Sequence, residues 1–168
     1  MGNYPCALQQ FDRVLSVYER TLPAEHPLRI MAMSDKANAL RNLGIFDESL
    51  ALHEAAVNLG RQVFKEDSDN QLCLENNMAI ALGALGAHSE EAEVYKRQIR
   101  AYERSPLFGP THVKAWGARS NLGSALVSLG RFAEAIPLLR DTLAAYDGMG
   151  LGPEHPLLGG IPQNYGKA

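Results

Sequence analysis

A chain of 168 residues, 46% hydrophobic and 21% charged, is long enough to bury a core without disulfides or metal. Its net charge of -3, with no Lys/Arg run longer than two, gives no basic surface for nucleic acid or for an anionic membrane. The longest mostly apolar run, residues 78–87, is far short of the roughly 20 residues that span a bilayer, and the opening MGNYPCALQQF lacks the charged start and apolar stretch of a signal peptide.

Taken in chain order, the sequence alternates amphipathic helices with breakers. A first helix is expected over residues 5–20, and Pro23 with His26-Pro27 ends it. Residues 28–43 and 46–63 follow as a pair separated by Gly44, with an acidic break at residues 66–69. A second pair, 70–85 and 89–103, brackets Gly86 and ends at Pro106 to Pro110. A third, 113–129 and 133–146, brackets Gly130 and ends in the Gly/Pro stretch 148–156. Apolar residues recur at three- and four-residue steps, as in Leu122, Leu126 and Leu129, and strand-like alternation is nearly absent.

The pairs are copies of one another. RNLGIFDESL, GALGAHSEEA and VSLGRFAEAI align on Gly44, Gly86 and Gly130, and the same frame reaches back to Gly2, at spacings of 42, 42 and 44 residues. Tyr4, Phe46, His88 and Phe132 fall in one column. Leu8, Leu50, Ala92 and Ile136 form the next, and Leu15, Val57, Ile99 and Leu143 a third. The small residues Ala37, Ala79 and Gly123 share a column where two helices approach closely, and the turn glycine suits a left-handed helix C-cap. The frame divides the chain into the second half of a repeat (1–25), repeats at 26–67, 68–110 and 111–153, and the first half of a repeat (154–168), which reads as a fragment of a longer array. Open ends of this kind suggest head-to-tail self-association, each copy completing a unit of the next.

The segment NLGSALVSLGRFAEAIPLLRDTL (121–143) resembles a tetratricopeptide repeat helix pair. The long period, the His-Pro openings at His26-Pro27 and His155-Pro156 and the pair Asn76-Asn77 are similar to the kinesin-light-chain-like variety of these repeats. The resemblance spans essentially the whole chain. It implies an all-α fold, an α-α superhelical solenoid of helix-turn-helix units, in which the first helix of each pair lines a concave surface that binds peptides.

Carried over residue by residue, the resemblance places Ser34, Asn38, Arg41 and Asn42 of the first full repeat on that surface. Asn76, Asn77 and Ile80 follow from the second and Ser120, Asn121, Ser124 and Ser128 from the third, with Gln163 and Lys167 next in register. Asn both donates and accepts hydrogen bonds, so such a row satisfies the backbone of an extended peptide whatever its side chains. The plainer alternative is that Asn77, Asn121 and Asn164 tie neighbouring repeats together. Arg41 and Lys36 are the nearby cations, too few for a strong carboxylate clamp, so the partner expected is an uncharged or mildly acidic protein or peptide.

Chemistry is not expected. His26, His112 and His155 open repeats, where a cap or turn role suffices, and His53 and His88 stand in columns that are apolar elsewhere. No catalytic Ser-His-Asp or Cys-His order is present, no cofactor motif is readable, and Cys6 and Cys73 lack metal spacing and read as buried or half-buried helix residues. Trp116 reads as a packing aromatic. The function expected is a protein-interaction or scaffold module, not an enzyme, in the reducing cytoplasm. The alternative is a sensor domain that binds a small peptide or ligand and gates an attached effector domain.

Overall fold

The computed structural model describes residues 4–150, with side chains from residue 8 onward, and is helical throughout, with no strand among the described residues. Its helices are α1 (Tyr4–Thr21), α2 (Pro27–Asn42), α3 (Phe46–Val63), α4 (Asp69–Ala84), α5 (His88–Arg104), α6 (Val113–Ser128) and α7 (Phe132–Gly148). Each lies within two residues of the helix expected from sequence. None is long and apolar enough to cross a membrane. The chain forms two compact units, residues 1–87 and 88–168, divided between α4 and α5, inside the repeat framed at 68–110.

Local chemistry sets the helix ends. His26 and His112 are N-caps whose Nδ1 atoms accept from the backbone N–H of Leu28 and Lys114, each at 3.2 Å. Ser68 caps α4 through its Oγ, which accepts from the Gln71 N–H at 3.4 Å. At the other end of the first-type helices, Gly44, Gly86 and Gly130 have φ of +80°, +78° and +71°. Beyond each, the next amide reaches back to the carbonyl of Leu40, Leu82 or Leu126 at 2.8 to 3.0 Å, the Schellman closure that a residue with a Cβ adopts only with strain.

In the first unit, α2 packs between α1 and α3, and α4 covers α3 and touches α2. Ile30, Ala56, Val57 and Leu74 form a buried cluster from α2, α3 and α4, with Met31, Met33, Leu59, Phe64 and Met78 around it. Lys36, which interrupts an apolar column, pairs with Asp12 of α1 at 2.7 Å.

In the second unit, α6 packs between α5 and α7. The wider 44-residue spacing arises in the loop 105–112, longer than its counterpart at 64–68. The extra length is fixed by Phe108, whose ring meets Tyr102 edge-on at 5.5 Å and lies 4.9 Å from His112. Trp116 is half-buried beneath the Arg119 guanidinium, 4.3 Å from the ring centroid, and Arg119 also reaches Glu103 and the Pro110 carbonyl. At Gly123 α6 approaches α7 closely: a Cβ there would overlap the Leu139 side chain, whose Cγ would stand 2.5 Å away. Gly123→Val is therefore expected to lower unfolding free energy by about 2–3 kcal/mol, since overpacking a tight interface displaces backbone or rotamers. Denaturant unfolding checks this, and Gly117→Ala, where a Cβ meets only the Tyr146 hydroxyl at 4.0 Å, serves as control.

One expectation about a single residue changes. Cys73 is exposed rather than buried, because it lies on the flank of α4 away from α3 while its neighbours Leu72 and Leu74 turn inward. The Cys6 side chain, His155, Asn164, Gln163 and Lys167 lie outside the described residues.

Candidate functional site

The residues expected to bind a partner fall on α2 and α4 in the first unit and on α6 in the second. On α2, Ser34, Asn38 and Arg41 follow one another at steps of four and three, so they share a face. That face does not end at the surface uniformly. Asn38 and Arg41 are half-buried and Asn42 is exposed, but Ser34 is completely buried. It therefore cannot line a groove, a correction with a plain cause: both α3 and α4 close over it.

Ser34 is instead the centre of a polar junction of three helices. Its Oγ accepts a hydrogen bond from Asn77 Nδ2 of α4 at 3.1 Å and lies 3.4 Å from His53 Nδ1 of α3. His53 is also completely buried, as its apolar column suggested, and its Nε2 has no partner among the described residues. Burial, helped by the positive charge of Arg41, lowers its pKa from 6.5 to about 4, so the ring is neutral near pH 7. A Ser–His pair sealed on all sides packs helices and offers substrate no approach. Ser49 makes a similar tie, donating to the Ala37 carbonyl at 2.7 Å.

Around this junction, Asn38, Arg41, Asn42, Asn76, Asn77 and Ile80 remain partly or wholly at the surface. The side chains of Asn38 and Asn42 make no hydrogen bond among the described residues, and Arg41 Nε is buried without a partner. Asn77 is committed to Ser34, so the reading in which this column ties neighbouring repeats holds for it. The surface is thus amide-rich with one guanidinium, suited to hydrogen bonding with a peptide backbone and one acidic or carbonyl group.

In the second unit, Asn121, Ser124 and Ser128 share a face of α6, with Asn121 and Ser124 half-buried and Ser128 exposed. Ser124 Oγ is turned back onto the Ser120 carbonyl at 3.3 Å. Ser120 is buried, a second correction to the expected lining. At the start of α5, His88 Nδ1 lies 2.9 Å from Glu91 Oε2, and burial pushes the Glu91 carboxyl up. Among the described residues no group of three or more His, Cys, Asp or Glu is placed to hold a metal ion. His53, read from the sequence as packing at a helix interface, is buried at one, and what the sequence did not disclose is its polar partner Ser34. The polar residue in an otherwise apolar column was the available signal.

Family models for the tetratricopeptide repeat match residues 29–104 in one case, and residues 1–28 and 117–147 in another. Among solved structures, the chain is similar to the nearly identical TPR-like repeats of a candidate kinesin light chain from Podosopora anserina. Identity is 23%, 94% of this chain and 73% of that one are covered, and the TM-score is 0.78. A point-substituted form of that protein matches with the same identity and coverage and a TM-score of 0.79. BtubC (BKLC) from P. vanneervenii matches at 14% identity over 92% of this chain and 61% of its own, with a TM-score of 0.78. No curated protein matches by sequence. At these identities the solved structures speak for the fold.

Proposed function

This chain belongs to the tetratricopeptide repeat family, whose repeats are protein-interaction modules, and from that premise we propose that it binds an extended peptide segment of a partner protein along α2 and α4. The observation that carries this reading is the junction at Ser34. By bonding Asn77 of α4 to Ser34 of α2, it ties the helix that carries Asn38, Arg41 and Asn42 to the helix that carries Asn76 and Ile80. A surface held in place before binding spends little affinity on ordering itself. Asn38 and Asn42 present amides to a peptide backbone, Arg41 donates to a carbonyl or acidic side chain, and Ile80 supplies an apolar contact. Asn121, Ser124 and Ser128 present a comparable row on α6 in the second unit.

The test is selection of peptides from a displayed random library, followed by calorimetric titration of the best binder. Against an Asn38→Ala/Arg41→Ala/Asn76→Ala variant with an unchanged circular dichroism spectrum and melting temperature, affinity is expected to fall at least ~10-fold, given roughly 1 kcal/mol per hydrogen bond lost. Undiminished binding by that variant would place recognition on another face of the molecule.

A further inference from the structure

Three cations of the first unit have carboxylate partners. Arg29 lies 3.9 Å from Glu19, Lys36 2.7 Å from Asp12 and Arg61 3.8 Å from Glu75. Arg41 has none. It is half-buried, it forms no ion pair among the described residues, and its Nε is enclosed without a hydrogen-bond partner. A guanidinium partly withdrawn from water is unfavourable until an anion meets it.

Asp35 offers the opposite charge on the same helix. It too has no ion pair or hydrogen bond among the described residues. Desolvation by the surrounding protein pushes its carboxyl pKa up, and no cation offsets that shift. Lys36, its neighbour in sequence, is held by Asp12 of α1. Asp35 and Arg41 do not neutralise each other, because side chains on a helix meet at spacings of three or four residues. Six residues apart on α2, they are separated by about 9 Å along its axis. Asn38 stands midway, half-buried, with a side-chain amide free of hydrogen bonds among the described residues.

We propose that the partner segment bound at α2 carries both charges: a Lys or Arg that pairs with Asp35, and an Asp or Glu that pairs with Arg41, about three residues apart. This rests on the peptide-binding reading above and adds to it the partner's charge pattern. The spacing follows from geometry, since an extended chain advances roughly 3.3 Å per residue and so covers about 9 Å in three. Charge complementarity selects the occupant. A wholly acidic segment is repelled at Asp35 and a wholly basic one at Arg41, while an uncharged one leaves the half-buried guanidinium unmatched. A segment with one charge of each sign satisfies both ends, and Asn38 between them is left to the peptide backbone.

The experiment starts from peptides selected out of a displayed random library on the full chain. The binders are expected to share one basic and one acidic residue about three positions apart. In calorimetric titration of the best binder, Asp35→Asn and Arg41→Gln are each expected to weaken binding about tenfold, with unfolding midpoints unchanged. Replacing the binder's basic residue by Ala is expected to cost nothing further in Asp35→Asn, which identifies the pair. A chain carrying Asp35→Lys and Arg41→Glu together is expected to prefer the binder with its two charges exchanged. Binders that lack either charge, or equal affinity for the natural chain and both single variants, would overturn the charge assignment. If Asn38→Ala/Asn76→Ala still lost binding in that case, peptide recognition at α2 and α4 would stand without it. Failure to select any binder would overturn both.

Discussion

Acidification from pH 6.5 to about 4 is expected to remove on the order of 3 kcal/mol from the packing of α2, α3 and α4, through His53 alone. In the unfolded chain this histidine titrates near 6.5. In the fold, burial and then the charge of Arg41 hold it at about 4. Between those values the unfolded state takes up a proton that the folded state refuses, so stability falls with pH. Above 6.5 both states are neutral and the contribution is fully present; below about 4 both are protonated and the loss levels off. Carboxylates titrate in the same window, so the measurement is a comparison: urea unfolding midpoints across pH for the natural chain and for His53→Gln. The natural chain is expected to lose stability more steeply between pH 6.5 and 4, and the two curves should run parallel above 7. Parallel curves throughout would mean that the protonated ring reaches water without opening the junction.

Leu74→Ala is expected to cost about 3–4 kcal/mol, within the range for emptying a fully buried leucine site. Leu74 has no solvent exposure, and its cluster joins α2, α3 and α4 through Ile30, Ala56 and Val57. It also sits at a close approach of α3 to α4: a Cβ on Gly60 would stand 2.7 Å from its Cδ1 and 2.6 Å from Gln71 Oε1. Neighbouring backbones fixed by the Ser34–Asn77 bond and by the packing of α3 leave little room for collapse, which keeps the cost above the low end of that range. The adjacent Cys73→Ala, on the exposed flank, is expected to change stability by less than about 0.5 kcal/mol. Gly60→Ala should be less damaging in the Leu74→Ala background than alone, because the shortened side chain vacates part of the space that the new Cβ needs. Unfolding of the two singles and the double variant measures this coupling, and strict additivity would show that Gln71, not Leu74, limits the approach.

Much of this molecule is legible from local rules. The helix pairs, their turn glycines and their starts at His26 and His112 follow from periodicity, from the left-handed conformation that glycine alone enters cheaply, and from a side chain able to accept from the first-turn amides. These are properties of a few consecutive residues, repeated at one period, so the sequence by itself determined them, along with the family.

What only the tertiary structure decided is which members of a column reach the surface. Ser34 and Asn38 are one turn apart on the same face of α2, yet one is sealed and the other half-open, because α3 and α4 converge at the turn of Ser34. His53 is a neutral, buried base for the same reason: its ionisation depends on how completely three helices exclude water around it. Helical period assigns a residue to a face, whereas burial, protonation and the partners of a polar atom depend on what approaches that face from elsewhere in the chain. The three-helix junction is built from residues 19 and 43 positions away from Ser34, and no short-range pattern encodes such a meeting.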